Sequence, residues 1–191
     1  RRPPRSTLFP YTTLFRSIVG LPTTETVSEL VAGATTYRAK TTAIYDGQTS
    51  SASLPTRGHP TWVLRWNDAT NTWVSHWYTY DADGNRIAEA DETGSITDPN
   101  RRTDIAYDTT WNLFPVSEKT PANEFGLRLE TQKTWDVGCA APLTVTDPNG
   151  AVTTTTYERF CRTATVQRPL GDDETWTWTD DRTNGWKSRI E

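Results

Sequence analysis

The sequence predicts an all-β chain, an antiparallel β-meander strip of hairpins. Three observations predict it. Beyond the first 17 residues threonine is unusually common, 33 of 174, alongside nine Trp and six Tyr; all three types fit a pleated, half-exposed sheet. Gly, Asn, Asp and Pro fall between the Thr/aromatic runs, where turns belong. A Tyr-Asp dipeptide recurs at Tyr45-Asp46, Tyr80-Asp81 and Tyr107-Asp108. Leu, Ile, Val and Phe total only 28 of those 174 residues. Such a thin core suits a sheet that gains burial from its neighbours, as in a repeat array.

Residues 1–17 read as a translated sequencing-library adapter, encoded residue for residue by such an oligonucleotide, and are assigned no domain. The chain holds no methionine, so Arg1 is not an initiator and the chain is expected to be a fragment or processed product. Residues 18–60 form a divergent repeat and loop. Within them 18–36 is expected as strand–turn–strand in preference to a short amphipathic helix, because Gly33 and the Thr-rich flanks favour extended chain. Thr36 to Tyr45 is an extended run ending at Asp46-Gly47, and Gln48 to Pro60, with Pro55, Gly58 and Pro60, is a loop.

Residues 61–179 are the repeat strip, and 180–191 a truncated end. Trp62–Trp66 and Trp73–Tyr80 read as strands joined by the turn 67–71. Side-chain alternation puts Trp62, Leu64 and Trp66 on one face, and Trp73, Ser75 and Trp77 on another. Such a Trp stripe is expected to be a packing face rather than a sugar platform.

Degenerate copies of the dipeptide stand at Trp135-Asp136 and Tyr157-Glu158, so the aromatics lie 35, 27, 28 and 22 residues apart. Between them sit Thr97-Asp98-Pro99-Asn100 and Thr146-Asp147-Pro148-Asn149-Gly150. Each motif has a mechanical reason. The aromatic packs on the sheet while the following acid starts the turn. Asp81 is expected to accept from its own turn's amides, and Gly84 to take the positive φ that closes it before Arg86. Pro148 presets one turn corner, Asn149 and Gly150 tolerate the rest, and Gly150 suits a bulged exit. A hairpin at 147–150 would put Cys139 nearly opposite Cys161; the residues leave a disulfide or two free thiols equally open.

These residues resemble the RHS (rearrangement hotspot) or YD-repeat family. The matching elements are Tyr80-Asp81-x-x-Gly84-Asn85-Arg86, Thr146-Asp147-Pro148-Asn149-Gly150 and Tyr157-Glu158-Arg159-Phe160-Cys161-Arg162, where Glu and Cys replace the family's Asp and Gly. Gly171-Asp172 after Arg168-Pro169-Leu170 resembles the Pro-x-Gly-Asp that tends to follow. The match is clear over about 78–172 and weaker over 35–77. It implies a β-strip coiled into a large hollow shell, as in polymorphic bacterial toxins, the B/C part of Tc toxins and teneurin-type adhesion proteins. It also implies a secreted or cell-surface location, and as partners an effector domain of the same parent chain and neighbouring repeats, with a cell-surface glycan or receptor as the alternative. Pro142 to Gly150 fits by letter the family's self-cleavage motif PxxxxDPxG. Ala151-Val152-Thr153 and a further unit at Tyr157 follow it, so an ordinary repeat turn is expected.

Catalysis and cofactors are not expected. His59 lies in a Gly/Pro loop and His76 in the Trp-rich strand, neither in a metal or general-base context. Asp172-Asp173-Glu174 and Asp180-Asp181 read as acidic turns rather than a spaced calcium loop. Without residues 1–17, which hold four Arg and no acid, 16 basic and 24 acidic residues leave a formal charge of −8. That balance argues against nucleic acid and against anionic membrane. No apolar run approaches the ~18–20 residues of a membrane-spanning helix. A thin strip with two unpaired edges is expected to be marginally stable and to self-associate when expressed alone. Sedimentation with urea titration checks this, and a soluble monomer that unfolds cooperatively contradicts it.

Overall fold

The computed structural model describes residues 20–31, 34–179 and 187–190. The readings of residues 1–17, of Gly33 and of Asp180-Asp181 lie outside the described residues. The chain is all-β. Its strands are β1 Thr24–Val31, β2 Ala34–Tyr45, β3 Pro60–Asn67, β4 Thr72–Tyr80, β5 Arg86–Ala90, β6 Thr103–Tyr107, β7 Pro115–Ala122, β8 Arg128–Asp136, β9 Ala141–Thr146, β10 Val152–Tyr157, β11 Thr163–Gln167, β12 Glu174–Thr179 and β13 Lys187–Ile190. They lie in one open sheet in strict sequence order, and each pairs antiparallel with the next, from β1–β2 through to β12–β13. The two strands expected over 18–36 are present as β1 and the start of β2, paired antiparallel with a bulge between Val27 and Ser28.

The meander gives the strip two rims. Even-numbered strands through β10 end at one rim, in turns that follow Tyr45, Tyr80, Tyr107, Trp135 and Tyr157. At the opposite rim the turns are mostly tight. Asn123–Leu127 and Asp147–Ala151 share one geometry: the first residue's side-chain oxygen accepts from the amides two and four positions on, and a glycine, Gly126 (φ 75°) or Gly150 (φ 82°), takes the left-handed fourth position. Gly150 N donates to Asp147 O and Asp147 N to Ala151 O, so left-handed Gly150 makes the bulged exit the sequence predicts, and β9 and β10 then pair without a further register shift. The other Asp-Pro-Asn segment makes no hairpin turn. Asp98 caps a 3-10 turn over Pro99–Arg101 inside the long connection between β5 and β6, and Asn100 N donates to its carboxylate at 2.9 Å.

The two Trp stripes are one. Trp62 stands opposite Trp77, Leu64 opposite Ser75, and Trp66 opposite Trp73, and directly opposed residues share a face. The expectation of separate faces is therefore corrected. It treated each strand alone, whereas pairing decides the face. Trp62 and Trp77 stack with centroids 6.3 Å apart, and Trp66 meets Trp73 edge-on at 5.4 Å.

Burial is sparse. Among the described residues the buried hydrophobics are Ile44, Tyr45, Ala88, Ala90 and Phe114, and no polar residue is buried. Ile44 faces Trp62, Ala90 faces Trp77, and Ala88 faces Thr79, so the thin core lies on the Trp face. Further along, register carries this face into Asp104, Ser117, Gln132 and Thr134. There hydroxyl pairs replace apolar contact: Thr134 with Thr144 and Thr156 with Thr165, both at 2.7 Å. Each cross-strand pair is worth about 0.2–1 kcal/mol, so stability is spread thinly. Ala88 is only 2% exposed, and Ala88→Leu should cost about 1–3 kcal/mol through overpacking. Leu170→Ala, at a 93% exposed position, should shift stability by less than about 0.5 kcal/mol. Urea denaturation of both variants checks the contrast.

Candidate functional site

The repeat aromatics form a ladder. Every even strand through β10 carries a register shift at its terminal aromatic: Ile44/Tyr45, Thr79/Tyr80, Ala106/Tyr107, Thr134/Trp135 and Thr156/Tyr157. The aromatic pairs with a residue across its turn, respectively Pro60, Arg86, Pro115, Pro142 and Thr163. A bulge interrupts the backbone ladder, and the next aromatic along donates to the carbonyl of that partner. Tyr80 Oη donates to Pro60 O (3.1 Å), Trp135 Nε1 to Pro115 O (2.9 Å), Tyr157 Oη to Pro142 O (2.8 Å) and Trp178 Nε1 to Thr163 O (2.6 Å). Tyr107 Oη to Arg86 O is the slackest rung at 3.4 Å, and Tyr45 Oη donates to Pro22 O at 2.8 Å. Proline suits the accepting position because it has a carbonyl but no N–H to leave unpaired.

The acids after the aromatics hold the turns. Asp81 Oδ1 accepts from Asp83 N (3.0 Å) and Asn85 N (2.8 Å), and Gly84 closes the turn at φ 95°. Asp108 accepts from four amides, those of Thr110, Trp111, Leu113 and Phe114. Asp46 gathers Thr56, Arg57, Gly58 and His59 amides and so folds the 46–59 loop back on itself. Among the described residues Asp136 accepts only from Cys139 N, at 2.9 Å. The amides act on the acidity. Desolvation raises the Asp46 carboxyl, but its four amide donors outweigh that and hold it well below the usual range. Asp81 is likewise raised by desolvation, yet Asn85 and Asn112 lower it to about 2. The Phe114, Trp111 and Leu113 amides bring Asp108 to about 2.

The degenerate unit shows how the motif is rebuilt. Glu158 accepts from Phe160 N and Arg162 N, and the Arg162 guanidinium pairs with it at 2.9 Å, which lowers its pKa. Cys161, at φ 60°, takes the left-handed place that Gly84 holds in the Tyr80 unit. Arg162 also lies 4.6 Å over the Trp178 ring; in the Tyr80 unit Arg86 pairs with Glu89 at 2.8 Å and lies 5.5 Å over Tyr78. Cys139 and Cys161 are disulfide-bonded, Cα–Cα 5.2 Å. They do not oppose each other along β9 and β10, whose paired stretch ends short of both. They sit in the turns before β9 and after β10, and the bond joins two neighbouring turns of the aromatic rim.

Reading by dipeptide missed Trp178, because Thr179 rather than an acid follows it; its position 21 residues after Tyr157 was the available signal. It also missed Asn112, whose Nδ2 donates to Asp81 Oδ2 (2.8 Å) and Asp83 Oδ2 (2.6 Å) and so clamps one turn to the next. His59 stacks on Tyr80, centroids 4.8 Å apart. The Trp rings close on each other rather than standing free, and Trp73 is the most exposed of the four at 38%. Among the described residues no group of three His, Cys, Asp or Glu is placed to hold a metal.

No family model and no curated protein matches the chain. Among solved structures it is similar to the crystal structure of TcdB2-TccC3 without its hypervariable C-terminal region, with 13% identity and a TM-score of 0.49 over 78% of this chain. The chain spans 8% of that chain's length.

Three outcomes test the ladder. Tyr157→Phe removes one rung and should cost about 0.5–1.5 kcal/mol by urea denaturation, with the spectrum of the folded state unchanged. Removing the disulfide opens a loop spanning 22 residues and should cost about 3 kcal/mol; Cys139→Ser with Cys161→Gly should recover about 1–2 kcal/mol of that relative to Cys139→Ser with Cys161→Ser, because glycine relieves the left-handed backbone. Asp81 and Asp108 titrate lower in the fold, at about 2, than unfolded at about 3.9. Their stabilisation is complete above the unfolded value and drains away as pH falls through about 2. Acid unfolding followed by circular dichroism should be shallower between those values in Asp108→Asn.

Proposed function

We propose that this chain is a wall segment of an RHS/YD-repeat β-shell belonging to a large secreted or cell-surface protein. The aromatic ladder carries the reading. Six aromatics engage six backbone carbonyls in one order along one rim, which is the mark of a repeating unit that adds neighbours indefinitely. An open sheet in strict sequence order has no closed interior of its own, and its work is to enclose or display. Its partners are then neighbouring repeats and an effector domain of the same parent chain. The segment carries no catalysis of its own. A disulfide at the rim suits an oxidising compartment.

The test is the parent protein itself. Electron microscopy of the full-length secreted product should show a hollow particle, and the coding sequence on either side should continue the aromatic–acid series. A parent without further repeats, or one whose particle is solid and compact, overturns the reading.

A further inference from the structure

Strands joined at the rim opposite the aromatics are laddered unevenly. β9 and β10 are opposed over 144–146 and 152–154, next to their own turn. Toward the aromatic rim they part: Pro142 pairs with Trp135 and Tyr157 with Thr163, each on its other side. Two further seams are of this kind. β5 and β6 are opposed over 88–89 and 103–104, and β11 and β12 over 165–166 and 174–175. The long excursion 91–102 joins β5 to β6 and walls a cleft with β4 and the end of β7. At the aromatic rim each of these two seams is closed by a rung, Tyr107 to Arg86 O or Trp178 to Thr163 O, with no covalent tie. The β9–β10 seam has its rung, Tyr157 Oη to Pro142 O at 2.8 Å, and the Cys139–Cys161 disulfide besides. Two like seams close without a bridge, so the bridge is an addition that the architecture does not require.

The bridge is also placed for exchange. Cys161 is exposed at the rim and Cys139 half-buried, so an incoming thiol reaches Cys161 Sγ first. Arg159 and Arg162 flank Cys161, their guanidiniums 4.5 and 5.4 Å from the Phe160 ring, and positive charge favours an approaching thiolate. Glu158 offsets part of it through Arg162. Both bridged turns hold a non-glycine residue in the left-handed region, Ala140 at φ 49° and Cys161 at φ 60°. Side chains of L residues resist that conformation, and the cap at Asp136 gives the Cys139 turn one amide bond. Once the bridge is cut, the rim end of the seam is held by a single hydrogen bond between two turns inclined to relax.

We propose that the Cys139–Cys161 bridge is a thiol-cleavable latch on the β9–β10 seam, closed in an oxidising compartment and opened at Cys161 by a low-molecular-weight thiol. A thiolate attacks Cys161 Sγ; the S–S bond breaks, and its electron pair leaves on Cys139 Sγ, which takes a proton from water. Cys161 then carries the thiol as a mixed disulfide. A second thiolate attacks the sulfur of that first thiol, and Cys161 leaves as its thiolate. One bridge is reduced to two thiols while two small thiols are oxidised to one disulfide. The latch does not rest on the shell reading, since every group in it belongs to four consecutive strands.

The test uses the whole chain, oxidised and in millimolar reduced glutathione, with maleimide mass tagging and amide hydrogen exchange read by peptide. The bridge should open, and the trapped mixed disulfide should sit on Cys161. Exchange over 141–146 and 152–157 should then quicken by about tenfold or more, with β3 and β4 unchanged, because burial in a meander is shared between neighbours only. Cys139→Ser with Cys161→Ser should reproduce the reduced pattern. Tyr157→Phe should leave the oxidised seam closed and open the reduced seam further than in the parent chain. A bridge that resists glutathione in the folded chain overturns the proposal, as does a mixed disulfide on Cys139. Exchange that rises equally in β3 and β4 makes the bridge a general staple and overturns it too. So does an unchanged seam after reduction, or an oxidised Tyr157→Phe seam as open as the reduced one. None of these outcomes bears on whether the parent forms a shell.

Discussion

The strip depends on one interaction repeated along its rim: the polar tip of an aromatic side chain reaching a carbonyl beside the preceding bulge. A bulge bends the strand and interrupts the ladder where chain direction must reverse. It also disturbs the pairing of backbone polar groups, and an unpaired one is costly wherever water is excluded. Tyr80, Trp135, Tyr157 and Trp178 supply the missing donor across the strand. The bulge therefore turns the chain and also creates the acceptor that fastens the next hairpin. This explains why an aromatic with a polar tip stands at each position and why both Tyr and Trp serve. Phenylalanine would pack as well but could donate nothing.

The turn acids follow from the same geometry. A tight reversal leaves several amides pointing inward with no strand partner, and a carboxylate two bonds from the backbone meets one to four of them. Asp108 shows the full set and Asp136 the minimum. With only five hydrophobic residues buried among those described, these local caps bear a larger share of the stability than in a globular domain. Apolar burial remains at the Trp end, where Ile44 and Ala90 stand opposite indoles and Ala88 stands opposite Thr79. Toward β11 the same face is held by threonine hydroxyls instead.

Local chemistry was legible in the sequence because it is settled within a few residues. An acid or amide, two spacers and a glycine define the turns at 81–85, 123–127 and 147–151, whatever lies far away. Strand existence was equally legible, as in β3 and β4, where turn residues separate two aromatic runs. What the sequence hid was long-range. Nothing in the Tyr157 dipeptide says that its hydroxyl will seek Pro142, 15 residues back. Trp178 was hidden for a related reason: its role is set by the carbonyl it reaches, while the search keyed on the residue that follows. The Trp stripes could have been placed on one face by pairing Trp62 with Trp77 and Trp66 with Trp73, but only once the register across the turn was imposed. The cleft beside the 91–102 excursion was the least legible, since it joins β4, that excursion and β7.

The Tyr157 unit tests whether the ladder or the turn consensus is the deeper constraint. Both consensus turn residues have changed: the acid is one methylene longer, and the left-handed position holds a side chain that strains the backbone. If the turn sequence were what the fold requires, this unit should be the weakest. Instead its rung is short, with Tyr157 Oη 2.8 Å from Pro142 O. Around it the losses are offset locally. The longer Glu158 recruits the Arg162 guanidinium as an extra donor, and Cys161 is tied to the neighbouring turn through Cys139. Arg162 continues over Trp178 and so couples the repaired turn to the next rung. Substitution is thus tolerated in the turn provided the aromatic still meets its carbonyl, which makes the aromatic–carbonyl rung, rather than the Tyr-Asp letters, the property that defines the repeat.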